Sequence, residues 1–180
     1  MTGEQRQMIN ACKLKIIGSE MFLKYLREEL SQLGFNVILN ITALKDYNID
    51  ETNGILIEFT GNCPSQSSDS TEIPVIYPFD FIAGAGVIVL FPGDDRKWLD
   101  KPDLRLWAAE YMMGYCAFWN ISGCDWLHDV LLSIKAGETS DSAQKTAAYI
   151  SARIAANIAT GRPVKRFPKF YIVDNKVGSR

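Results

Sequence analysis

A short apolar strand, one glycine and then a long amphipathic helix constrain this chain more than any other feature. Residues 13–17 (KLKII) end at Gly18-Ser19-Glu20. Met21, Phe22, Tyr25, Leu26, Leu30 and Leu33 then recur at the three- and four-residue spacing of a helix, which stops at Gly34. Residues 35–39 (FNVIL) read as a second strand. Two parallel strands need a crossover of a dozen or more residues, and this helix supplies one. The pattern predicts a β-turn-α-β unit and an α/β fold.

The turn after the first strand decides what such a unit can hold. In the Rossmann motif, G-x-G-x-x-G gives a tight turn, lets backbone N–H groups approach a pyrophosphate and permits close helix–strand contact. Here the second and third glycine positions are Glu20 and Leu23. A carboxylate in the first helical turn complements the positive end of the helix dipole and repels phosphate. Ser19 reads as an N-cap. Gly18 and Ser19 therefore have two readings, a capped helix without nucleotide or an unorthodox cofactor-binding turn.

At 180 residues and 47% hydrophobic content, the chain suits one buried α/β core. The expectation is a single domain over residues 1–174 with a polar tail, 175–180: a Rossmann-like three-layer sandwich, mostly parallel sheet with a helical C-terminal half. Residues 54–60 (GILIEFT) read as the third strand, and 61–72 as the most loop-like stretch. Residues 73–77 (IPVIY) and 86–91 (GVIVLF) read as two more strands, with 78–85 connecting them. Helices are expected over 103–119, over 124–136 and from Ser140 or Asp141 to Gly161, before a last strand at 170–173. Ala147, Ala148, Ala152, Ala155, Ala156 and Ala159 give the third helix a small face that another helix or subunit could approach.

Composition excludes several classes. A formal net charge of −2 gives no electrostatic footprint for nucleic acid. No run of about 18 apolar residues would span a membrane, and the first twelve residues lack a signal-peptide core. The expected location is cytoplasmic. Cys12, Cys63, Cys116 and Cys124 form no C-x-x-C pair, which argues against a structural zinc site and a disulfide framework and for reduced thiols. His128 is the single histidine.

The order of the pieces resembles the adenylating domain of ThiF and ubiquitin-activating-enzyme-like proteins. The resemblance rests on Glu58-Phe59-Thr60-Gly61-Asn62-Cys63 after the third strand, on the stretch from Pro74 through Gly84 and Gly86 to Pro92-Gly93, and on the alanine-rich helix before residues 170–174. It implies a Rossmann-like fold, a dimerising habit and descent from ATP-dependent adenylation. The chain departs from the family in its Gly18-Ser19-Glu20-Met21 turn, in Asn40 where an acidic residue is expected, and in lacking the zinc-binding C-x-x-C pairs. A truncated member without ATP-dependent adenylation is the reading that follows, its cofactor unknown.

Ligands of open α/β sheets bind outside the strand C-termini, which makes Gly61, Asn62 and Cys63 candidates alongside Gly18 and Ser19. Cys63 is either a nucleophile with a lowered thiol pKa or an exposed turn cysteine before Pro64. Asp80, between Phe79 and Phe81, is either held for catalysis or bonded to its own backbone in a turn. Cys124 and His128, four apart on one expected helix, have a spacing that metal ligands use, but two groups do not make a site, and no metal is expected. Arg162, Lys165, Arg166 and Lys169 form either an anion-binding cluster or a solvated turn. Two functions result: a binding or scaffold subunit, homodimeric or with a partner protein and with a possible small-molecule ligand, or a small enzyme acting on a nucleotide-derived or acyl-adenylate ligand.

Overall fold

The computed structural model describes residues 2–40, 54–59 and 72–176. Among the described residues it is an α/β protein with five α-helices and a mixed sheet: α1 (Gly3–Ala11), β1 (Lys13–Ile17), α2 (Glu20–Leu33), β2 (Val37–Asn40), β3 (Ile55–Glu58), β4 (Val75–Asp80), β5 (Gly84–Leu90), α3 (Leu104–Phe118), α4 (Trp126–Lys135), α5 (Asp141–Ala159) and β6 (Phe170–Asp174). The strand order is β2-β1-β3-β4-β5-β6.

The helix ends follow from local chemistry. Ser19 caps α2, its hydroxyl accepting from the Phe22 N–H at 3.3 Å, and Gly34 closes the helix at φ +95°, in the left-handed region that glycine enters without a Cβ penalty. Ser140 caps α5 and Asp103 caps α3 in the same way. The helix α1 is absent from the sequence reading above, although Thr2 and Gln5 form a reciprocal capping box that the T-x-x-Q spacing encodes.

The sheet is only partly parallel. β1 pairs in parallel with β2 and β3, and β3 with β4, but β4–β5 and β5–β6 are antiparallel. The expected connection over 78–85 does not exist as a loop. β4 continues through Pro78 to Asp80, and residues 81–83 turn the chain straight into β5, a connection too short for a parallel crossover. Pro78 is tolerated because β4 leaves the β3 ladder after Ile76, so the missing N–H falls beyond that pairing.

Side chains alternate along the strands into two buried clusters. Leu14, Ile16, Ile55, Ile57, Ile76, Val87 and Val89 join residues of α1, α2 and α5. Leu56, Val75, Tyr77, Phe79, Ile88 and Leu90 join residues of α3 and α4. The alanine face of α5 belongs to the first cluster: Ala147, Ala148, Ala152 and Ala155 are fully buried, and α5 packs on β4, β5 and α2. Those small side chains let α2 and the sheet come close, which leaves Ala152 unavailable to a second subunit.

Two further expectations are corrected. Cys124 precedes α4 instead of lying on it, and its sulfur is bonded to that of Cys116. The disulfide takes Cys124 away from His128, which is exposed on α4, and makes these two cysteines an exception to the expected reduced thiols. Spacing hid the link because a bridge needs neighbouring Cα atoms, here 6.4 Å apart, and not a sequence motif.

Candidate functional site

The site begins where the strand order reverses. The chain leaves β1 for β2 on one side and returns to β3 on the other, so the ends of β1 and β3 flank a switch point. β1 delivers Gly18 and Ser19 there, and β3 delivers Glu58 and Phe59. The Phe59 N–H donates to the Ile17 carbonyl at 2.8 Å, which ties the two ends together.

Gly18 is used for packing. A Cβ at this position would lie 3.0 Å from the Phe22 ring and 3.1 Å from the Phe59 Cβ. The two rings stack at 4.2 Å between centroids. Side chains therefore crowd the glycine where a glycine-rich loop would bring its backbone to a pyrophosphate.

Ser19 and Asp80, far apart in sequence, meet the same turn of α5. The Ser19 hydroxyl donates to Gln144 Oε1 at 3.1 Å, and the Ser140 N–H donates to Asp80 Oδ2 at 2.8 Å. Ser140 and Gln144 are four residues apart, one above the other on the helix. Tyr25 of α2 adds a hydrogen bond from its hydroxyl to Asp141 Oδ2 at 2.8 Å, and that bond raises the phenol pKa.

Asp80 is the most heavily engaged group of the site. It is buried, and its Oδ1 accepts from the Ile82 N–H at 2.8 Å, the turn bond that one sequence reading anticipated. Arg105 of α3 donates through Nε to the Asp80 carbonyl oxygen and places Nη2 3.6 Å from Oδ1. Burial pushes the Arg105 pKa down, while Asp80, Asp103 and Glu138 oppose that shift. The turn itself is strained, since Ile82 sits at φ +64°, costly for a β-branched residue.

Helices α2 and α5 both start at this end of the sheet, a geometry that favours anions. Their first turns already carry Glu20 and Asp141, which complement the two dipoles from within the chain. The Ser19 hydroxyl faces an amide oxygen and not a general base, so nothing there activates it as a nucleophile. Among the described residues no group of three or more His, Cys, Asp or Glu side chains could hold a metal ion.

The structure thus gathers Gly18, Ser19 and Asp80, while Gly61, Asn62 and Cys63 lie outside the described residues. Sequence reasoning missed Gln144, Ser140 as a partner of Asp80, Arg105 and the buried Glu58. The available signal was a polar residue at an inward position: Gln144 on an alanine face, Arg105 between Leu104 and Leu106, and Glu58 within an apolar strand. No protein-family model and no curated protein sequence matches the chain.

Proposed function

We propose that this chain is a Rossmann-like, three-layer binding or scaffold subunit, a reduced relative of the ThiF and ubiquitin-activating-enzyme-like domains that does not hydrolyse ATP. In this reading it serves a biosynthetic or modification pathway in the cytoplasm as a homodimer or with a partner protein. The observation that carries it is the Phe22–Phe59 stack over Gly18, which fills the approach a nucleotide phosphate would need.

The contact surface in this reading is the tip between α3 and α4. Phe118 and Trp119 are 80% and 62% exposed and meet edge to face, 5.1 Å between centroids, and Ile121 is exposed beside them in sequence. Trp107, Tyr111, Tyr115 and Trp119 form a ladder of ring contacts along α3 that leads from the core to this tip. Exposed aromatic groups of this kind favour protein contacts.

A second reading, a small enzyme acting on a nucleotide-derived or acyl-adenylate ligand, draws on the convergence of two helix N-termini near Asp80, with Gly61, Asn62 and Cys63 as further candidates. Thermal shift against ATP, NAD, S-adenosylmethionine and coenzyme A separates the two. Saturation at about 100 times a dissociation constant adds roughly 2.7 kcal/mol. The scaffold reading expects a flat panel together with a larger-than-monomer species in light scattering that Phe118→Ser and Trp119→Ser disperse. A stabilising nucleotide overturns it, and a monomer unchanged by those substitutions removes the homodimer and leaves the partner-protein form.

A further inference from the structure

At the other end of α2 and α5, away from the strand C-termini, lies a cavity of about 290 Å³ between the last turns of these helices and α1. Ile9 and Leu33 contribute apolar lining, and Gln5, Asn157, Arg153 and Arg162 polar lining. Among the described residues no acidic side chain lines it. We propose that this cavity binds a phosphate monoester of a small apolar group.

Charge carries the argument. Among the described residues neither Arg153 nor Arg162 forms an ion pair, although the chain as a whole is acidic. Two exposed guanidinium groups without a carboxylate partner border one hollow, and a ligand of opposite sign seated there gains from both. A phosphate monoester carries a charge of about −1.5 to −2 at neutral pH, which matches two guanidinium groups. The planar N–H forks of arginine suit phosphate oxygens better than a point charge does.

Both guanidinium groups are held in place by neutral partners. Arg153 stacks on the Tyr149 ring, its Cζ 4.1 Å from the centroid. Arg162 donates from Nη2 to Gln5 Oε1 at 3.0 Å. That oxygen also accepts from the Thr2 N–H at 3.0 Å, which leaves the Gln5 amide nitrogen as the donor for a ligand. Asn157 borders both this cavity and a wider hollow of about 890 Å³ lined in part by Lys165, Lys169 and the Arg166–Asp94 ion pair, so surface of net positive charge continues beside it. The apolar lining from Ile9 and Leu33 gives the apolar body of the ester a place that inorganic phosphate would leave empty.

The competing role for Arg162 is to offset the negative end of the α5 dipole. That role predicts a lower melting temperature for Arg162→Gln with or without ligand, whereas a binding site predicts loss of the ligand-dependent increment. The test is thermal shift with phenyl phosphate, inorganic phosphate and phenol at matched ionic strength. Phenyl phosphate is expected to raise the melting temperature saturably, inorganic phosphate less and phenol not at all. Arg153→Gln and Arg162→Gln should each reduce the phenyl phosphate increment by tenfold or more in apparent affinity, and Arg153→Lys should restore part of it. Isothermal calorimetry on the unsubstituted protein decides the matter if a variant fails to fold, with one-to-one binding supporting the site. No heat, or an increment that survives both glutamine substitutions, overturns the proposal.

Discussion

Phe59 lies flat on Phe22, the ring planes 8° from parallel and the centroids 4.2 Å apart, and together they close over the Cα of Gly18. Gly18 therefore tolerates no Cβ without movement of a buried ring. Gly18→Ala should destabilise the fold by about 1–3 kcal/mol, the range for overpacking a filled core. Urea unfolding with an unchanged slope measures it. An unaltered midpoint would mean that the ring pair yields freely and that the turn has room for a ligand.

Asp80 joins three elements: the β4–β5 turn through Ile82, α5 through Ser140 and α3 through Arg105. Asp80→Asn should cost about 3–5 kcal/mol, since it leaves a buried guanidinium without its carboxylate. Adding Arg105→Met should cost less than the sum of the single changes, because the second substitution removes the stranded charge. Strict additivity in this double-mutant cycle would show that the two side chains are independent.

Acid sensitivity should reside partly in Asp94. Burial raises its pKa, but the Arg166 hydrogen bond and the Phe91 N–H outweigh burial and leave it below the ordinary value. A depressed carboxylate contributes stability that is complete above the unfolded-state pKa of about 3.9 and is lost as pH falls through the folded value. Asp94→Asn should be less stable than the unsubstituted chain near neutral pH and should converge with it in strong acid. Denaturation midpoints that keep the same gap at both ends of the titration would remove Asp94 from the account.

The Cys116–Cys124 bridge spans a sequence separation of eight residues. Iodoacetamide applied to denatured, unreduced protein should label Cys12 and leave Cys116 and Cys124 untouched until dithiothreitol is added. Replacing both with serine should cost about 2–3 kcal/mol by the loop-entropy relation. Since disulfides persist in oxidising surroundings, the same peptide map bears on the cytoplasmic placement proposed above. Labelling of Cys116 and Cys124 without reductant would restore the reduced thiols that cysteine spacing suggests.

Local periodicity made much of the fold legible. Ser19, Gly34, Asp103 and Ser140 mark helix ends through hydrogen bonds and backbone conformations that involve only near neighbours, and those ends lie where the pattern places them. The strand expected over 73–77 runs on through Pro78, because proline disrupts a strand only where its missing N–H would face a partner, and pairing is not local information. The alanine stripe of α5 was read correctly as a close-packing face, but its partner proved internal.

The sequence by itself determined the alternation of strand and helix, the caps and the absence of a glycine-rich phosphate turn, since each depends on residues within a few positions of one another. Tertiary structure alone decided that β5 and β6 run antiparallel, that Ser19 and Asp80 share one turn of α5, that Cys116 meets Cys124, and that Arg153 and Arg162 face one cavity. These pairings join residues from 8 to 125 positions apart. They arise when burial of the two apolar clusters fixes the path of the chain, a balance that no short window of sequence contains.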